Sequence, residues 1–246
     1  MTAIQDRRSI RKYSSLPVED SLLNKLLRRA EKTQTMGNMQ LYSVVITRSE
    51  EGKRHLSPLH FDQPMVTQAP VVLTFCADTR RASQWCEQRQ ATPGYGNLLS
   101  FLNAATDALL YLQTFSILAE EEGLGLCFLG TTVYNTPELC RTLQLPQLVI
   151  PVGTLTLGWP AECPPSTDRL PLEAIVHEET YHDPQPADID RFYALKESLP
   201  ESLQAIRENG KQTLAQVFTD VRYTKEAMEQ FSDTYLAALR QQGFIK

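Results

Sequence analysis

Apolar residues at Leu22, Leu23, Leu26, Leu27 and Ala30 recur at one-, three- and four-residue spacing and predict an amphipathic helix, with Pro17 and Glu19-Asp20 suited to its first turn. Two runs rich in β-branched and aromatic residues, 41–47 (LYSVVIT) and 71–76 (VVLTFC), predict buried strands. From Asn97 to Glu122 the stripe Leu98, Phe101, Leu102, Ala105, Ala108, Leu109, Leu112, Phe115 and Ala119 predicts one long helix, and Tyr111, Ile117 and Leu118 extend its apolar character to other faces. Such a helix is buried on several sides, a subunit interface included. Gly123 is placed to cap it in the left-handed conformation, whereas Glu120 to Glu122 oppose its dipole. Further strands are predicted over 124–132 and 149–158, a short helix over 138–143, and a last helix carrying Met228, Phe231, Tyr235 and Leu239. The segment 79–96, with Trp85 and Tyr95, has poor periodicity and reads as a mobile lid or a peripheral helix pair. Strands mixed with helices in this manner are α+β signals.

Composition narrows the partner. The chain of 246 residues carries 24 Lys+Arg against 29 Asp+Glu, a formal charge of −5 with no basic block, which favours a small molecule over nucleic acid or an anionic membrane. Five cysteines without Cys-x-x-Cys spacing suggest reduced thiols rather than a disulfide framework or zinc site. With no apolar signal core and no run long enough to span a membrane, the expected location is the cytoplasm.

Little familiar chemistry is visible. There is no P-loop, the Gly94-Tyr95-Gly96 stretch lacks a third glycine and a preceding strand, and no Gly-x-Ser-x-Gly elbow exists. His177 and His182, beside Glu178 and Glu179, have no second cluster to complete a metal site, so no metal is expected. The unusual stretch is Arg7-Arg8-Ser9-Ile10-Arg11. Extended, it would point Arg7, Ser9 and Arg11 the same way, offering two guanidinium forks and a hydroxyl to one phosphate. Taken alone, it fits an anion clamp or a solvated basic N-terminus.

The order of four separated motifs decides between them. Residues 7–13 (RRSIRKY), then 35–40 (TMGNMQ), then 122–130 (EGLGLCFLG), then 151–160 (PVGTLTLGWP) followed by 168–172 (DRLPL), resemble the FMN-dependent nitroreductase family over about residues 5–183. The resemblance implies an α+β fold: a mixed sheet flanked by helices, with a long central helix. It also implies a homodimer with FMN at the subunit interface. Arg7, Ser9 and Arg11 match positions that hold the FMN phosphate and ribityl chain, with Arg8 contributing main chain and Arg169 as a second phosphate-binding arginine. Met36, Asn38 and Gln40 match the loop lining the flavin, Gln63 an amide facing the ring or ribityl hydroxyls, and Phe128, Leu129, Gly130 and Thr131 the segment passing the isoalloxazine.

Two departures stand out: Thr167 occupies a position that is basic in many relatives, and Gly130-Thr131 replaces a Gly-Gly pair. The resemblance divides the chain into an FMN-binding domain at 1–183 and a C-terminal extension at 184–246, packed on the same domain or on the partner subunit. That extension suggests the larger, oxygen-insensitive, NADPH-preferring nitroreductase or flavin reductase-like branch, with Arg207, Lys211 and Arg222 as 2′-phosphate candidates by charge only. The implied activity is ping-pong transfer of a hydride from NADPH or NADH through flavin N5 to a nitroaromatic, quinone or flavin. No side chain is expected to be an indispensable proton donor. A flavin-binding protein with little turnover, acting as a sensor, reservoir or interaction module, is the alternative.

Overall fold

The computed structural model describes Ile4 and residues 7–246. Two compact units are formed, one comprising residues up to Pro165 with Phe231–Lys246, the other Ser166–Gln230. The divisions fall at 165/166 and 230/231.

In the first unit the elements follow as α1 (Asp20–Ala30), β1 (Tyr42–Thr47), α2 (Glu50–Leu56), α3 (Pro64–Gln68), β2 (Val71–Asp78), α4 (Arg80–Gln88), α5 (Leu98–Glu121), β3 (Gly125–Leu129), α6 (Thr136–Thr142) and β4 (Val149–Gly158). The fold class is α+β, as read from the sequence. The sheet has the order β1-β2-β4-β3 and every pairing in it is antiparallel, which corrects the expected mixed sheet. The reason is topological. Strands β2 and β3 run the same way, joined by the long crossover of α5, but β4 lies between them and opposes both.

The two central strands, β2 and β4, are buried along their whole length, consistent with their near-continuous apolar sequences. One face of the sheet packs on α5 and α1 through Leu73, Phe75, Leu126 and Leu155 against Phe115, Tyr111 and Leu26. Tyr111 stacks on Tyr42 of β1 with ring centroids 4.4 Å apart. The opposite face carries Val72, Cys127 and Leu129 against Leu56, Met65, Val66 and Leu139 of the short helices. Asn97 caps α5 by accepting from Ser100 N at 2.9 Å, and Gly123, at φ 85°, ends the turn beyond it. The segment 79–96 forms one helix, α4, and a loop in place of a helix pair.

Two of the three glutamates that oppose the α5 dipole are explained by their partners. Glu122 accepts from Lys25 at 2.8 Å and Arg29 at 3.2 Å, both on α1, and Glu121 lies 3.4 Å from Arg29. Cations from α1 thus offset the unfavourable helix end.

The second unit contains α7 (Pro186–Ser198), α8 (Pro200–Glu208) and α9 (Leu214–Val217), the first two opened by proline at their first position. Helix α10 (Lys225–Gln241) begins in this unit and ends in the first, where Ala238, Leu239 and Phe244 join Phe101 in a second apolar cluster.

Candidate functional site

The basic N-terminal stretch is seated on β3. Ile10 is buried, its N–H donates to Leu126 O at 3.0 Å, and its side chain rests where Gly125 lacks one. A Cβ at Gly125 would lie 2.6 Å from Ile10 Cγ1 and 2.7 Å from Ile10 Cβ, so the close approach requires glycine. Beyond Ile10 the arm is pinned by Tyr13, whose hydroxyl lies 2.7 Å from both Ile10 O and Thr156 Oγ1. Burial pushes that phenol up, so it stays neutral. Ser14 N–H donates to Trp159 O at 2.8 Å, completing an antiparallel seam with the exit of β4.

This seating sorts the arginines. Arg7 and Arg11 both act on the Cys127 thiol, which burial pushes up and their positive charges pull back. Arg8 points elsewhere, donating from Nη1 to Pro164 O at 3.0 Å, with Cys163 Sγ also 3.0 Å away. Ser9, between Arg7 and Arg11 in sequence, is half-buried. Arg11 and Lys12 offer their backbone N–H groups to the Glu162 carboxylate at 2.7 and 3.0 Å.

Beside Arg7 is a cavity of about 290 Å³ whose wall includes Gln113, Ser116, Leu126, Phe128 and Leu155. Phe128 is 47% exposed although it lies in a strand, and its ring covers Gly153 of β4, where a Cβ would sit 2.9 Å from Phe128 Cε2. Leu129 turns its side chain into the core. The backbone at Gly130 is open: the nearest neighbour of a Cβ there would be Phe128 Cε1 at 4.0 Å. Thr131 Oγ1 lies 2.8 Å from His60 Nδ1, and Gln63 Nε2 donates to His60 O at 3.0 Å, so His60 joins two of the predicted positions. His60 is fully buried, its Nε2 has no hydrogen-bond partner, and burial holds its pKa down to about 4.

The loop bearing Met36, Asn38 and Gln40 forms another group, anchored on α5. Asp107, wholly buried, accepts from Met36 N–H at 2.8 Å and Leu41 N–H at 3.1 Å, closing both ends of the loop. Gly37, Asn38 and Gln40 all have positive φ, of 55°, 56° and 46°. The Gln40 amide bonds back to the Asn38 backbone and side chain. Arg81 also ties the loop by donating to Gln40 O, and to Tyr42 O at 3.2 Å. Asp107 and Gln113 are six residues apart on one helix, about 9 Å along its axis.

Arg169 belongs to the second unit, where Nη1 donates to Thr167 Oγ1 at 2.6 Å and Asp168 O at 2.8 Å. Lys196 holds Asp168 at 2.9 Å.

Sequence reasoning missed Asp107, His60, Cys127 and Glu120. Asp107 carried a signal, being the sole charged residue between Leu98 and Ala119. The others carried none beyond their types.

The family model for the nitroreductase family matches residues 4–159. The chain belongs to the nitroreductase family. Among curated nitroreductase relatives, an FMN reductase [NAD(P)H] of Bacillus subtilis is 35% identical over 216 residues, covering 86% of this chain and 85% of its own. An oxygen-insensitive NADPH nitroreductase of Salmonella typhimurium is 32% identical over 194 residues, covering 79% and 78%. A Bacteroides fragilis crystal structure superposes with a TM-score of 0.98 at 58% identity over 100% of both chains, and B. megaterium NfrA2 with 0.86 at 31%, covering 99% of this chain and 96% of its own. Among the described residues, no helix is long and apolar enough to cross a membrane.

Proposed function

We propose that this protein is an FMN-dependent NAD(P)H oxidoreductase whose acceptors are nitroaromatics, quinones or flavins. The observation that carries the reading is the pair Arg7 and Arg11 whose charge acts on Cys127, one residue before the exposed Phe128 and three before the open turn at Gly130. Two guanidinium forks suit a phosphate, and an exposed ring beside open backbone suits a planar partner, so these residues fit FMN.

FMN, when bound, supplies the hydride carrier between a reduced nicotinamide and the acceptor. The chain's part is to bind and to orient. Arg7, Ser9 and Arg11 are assigned the phosphate end, with the Arg8 main chain contributing. Met36, Asn38, Gln40 and Gln63 are assigned the flank of the ring, and 128–131 its edge. Gly130 permits close backbone approach, and Leu129, buried in the core, fixes that edge on the sheet. No side chain is assigned the transfer of a proton. Donor and acceptor would use the same face in turn, in ping-pong order.

A homodimer belongs to the same reading and is supported by Leu98, Leu99, Leu102, Leu109 and Leu110, which α5 leaves exposed. The test is a visible spectrum of the purified, dialysed protein before and after anaerobic NADPH. An oxidised flavin band that bleaches is expected. A colourless protein that cannot be reconstituted with FMN refutes the assignment, and a flavin band that neither NADPH nor NADH bleaches refutes the reductase.

A further inference from the structure

Glu120 stands apart from the two glutamates that follow it. Its side chain is only 10% exposed, its Oε1 faces Arg7 Nη1 at 3.9 Å, and its Oε2 is buried with no hydrogen-bond partner. A separation of 3.9 Å is too long for a hydrogen bond, so charge attraction alone links the pair. Ser116, one turn earlier, is committed to Leu112 O at 2.8 Å. Lys25 and Arg29 of α1 are engaged by Glu121 and Glu122. On β3 the neighbouring titratable group is Cys127, held neutral by burial, and Glu162 is bound to the arm's backbone N–H groups. Among the described residues, Arg7 is thus the charged group whose field reaches Glu120.

Resting on the FMN reading above, we propose that Glu120 is a positioning residue that competes with the FMN phosphate for Arg7, so that phosphate binding is coupled to uptake of one proton by the Glu120 carboxylate. The argument is one of charge. A dianion brought onto Arg7 draws on the same guanidinium and sets two negative groups side by side in a place poorly reached by water. Two such groups cannot both remain ionised cheaply, and the carboxylate is the one that a proton neutralises. Its burial already pushes its pKa up to about 7 against the pull of Arg7, so the coupling falls in an accessible range. In the free protein Glu120 holds Arg7 over the end of α5. In the complex it is the protonated, neutral neighbour of an arginine given over to phosphate.

The test is a fluorescence titration of FMN, and separately of riboflavin, onto the full-length protein after flavin removal, from pH 6.5 to 9. Free phosphate monoesters take their second proton at about pH 6, so FMN is a dianion through most of this range. If the complex raises the carboxylate by about one further unit, FMN affinity falls about five- to tenfold from pH 6.5 to 9. Riboflavin, without a phosphate, changes less than twofold. In Glu120→Gln the FMN slope disappears and affinity at pH 9 rises. Equal slopes for FMN and riboflavin, a flat FMN curve, or a slope retained in Glu120→Gln each overturn the proposal while leaving the cofactor assignment intact. No FMN binding at any pH overturns that assignment and this inference with it. The wild-type comparison of the two flavins decides the matter even if the variant fails to fold.

Discussion

Gly125→Ala tests how the arm is seated. The added methyl would lie 2.6, 2.7 and 2.8 Å from Cγ1, Cβ and Cγ2 of Ile10. Carbon atoms pack comfortably at about 3.5–4.0 Å, so arm and strand must separate by about 1 Å. Ile10 cannot turn aside, because a β-branched side chain is stiff at χ1 and its N–H is fixed to Leu126 O. Overpacking of this kind costs about 1–3 kcal/mol, and for a chain this size each kcal/mol lowers the Tm by about 2–4 °C. The same displacement moves Arg7 and Arg11. A lost charge-assisted hydrogen bond is worth about 1.5–3 kcal/mol, so FMN affinity should fall at least about tenfold. Thermal melts and flavin titration of Gly125→Ala, Ile10→Ala and the double variant form a cycle. Ile10→Ala alone should cost about 2–5 kcal/mol from lost burial; it removes the Cγ1 and Cγ2 contacts while leaving the Cβ contact at 2.7 Å, so the double variant should cost less than the sum without returning to the Ile10→Ala value. An unchanged Tm and FMN affinity in Gly125→Ala, or strictly additive costs, would refute the claim that this glycine exists to admit Ile10.

Asp107→Asn should release the loop at 36–41, because an amide oxygen replaces two charged acceptors and an NH₂ is forced against an N–H. A loss of about 2–4 kcal/mol in urea unfolding is expected, together with faster hydrogen exchange at Met36 and Leu41; unchanged exchange at both amides would show that the contact does not hold the loop. His60 should make the protein acid-sensitive. The unfolded chain takes up its proton near pH 6.5 whereas the folded one holds His60 neutral down to about 4, so its contribution is full above pH 6.5 and is lost as pH falls, by up to about 3 kcal/mol near pH 4. His60→Gln should remove that part of the slope, and superimposable pH–stability curves for variant and wild type would refute it.

What was legible in the sequence follows from pattern length. Strands β2 and β4 have uninterrupted apolar runs because both of their faces are covered, and α5 repeats its stripe over six turns. Helix α2 was hidden because its sequence, EEGKRHL, buries just Lys53 and Leu56. The lysine is satisfied by donating to Ala69 O at 2.9 Å, a contact no periodicity foretells. The antiparallel sheet was also illegible. Which strand inserts between β2 and β3 depends on contacts across the whole chain, whereas periodicity reports only which face of a strand is apolar. Arg7, Ser9 and Arg11 were proposed as a set because extended backbone alternates. Their neighbours Glu120 and Cys127, over a hundred residues later, could not be proposed with them.

The structure makes one short strand answer for much of the site. The positions Gly125, Cys127 and Leu129 face one way along β3, and Leu126 and Phe128 the other. On the first face the missing side chain of Gly125 receives Ile10, and Cys127 two residues on meets the fields of Arg7 and Arg11. On the second face Leu126 joins the core under α5, and Phe128 lies over Gly153 at the cavity that Arg7 also lines. A one-residue slip of β3 against β4 would exchange the two faces, placing Phe128 in the core and burying the arm's seat. The register Leu126↔Leu157 and Phe128↔Leu155 therefore fixes the basic arm and the exposed ring relative to each other. That dependence explains why the basic pentapeptide alone was ambiguous: its chemistry is defined only once a glycine in the right register gives Ile10 somewhere to go.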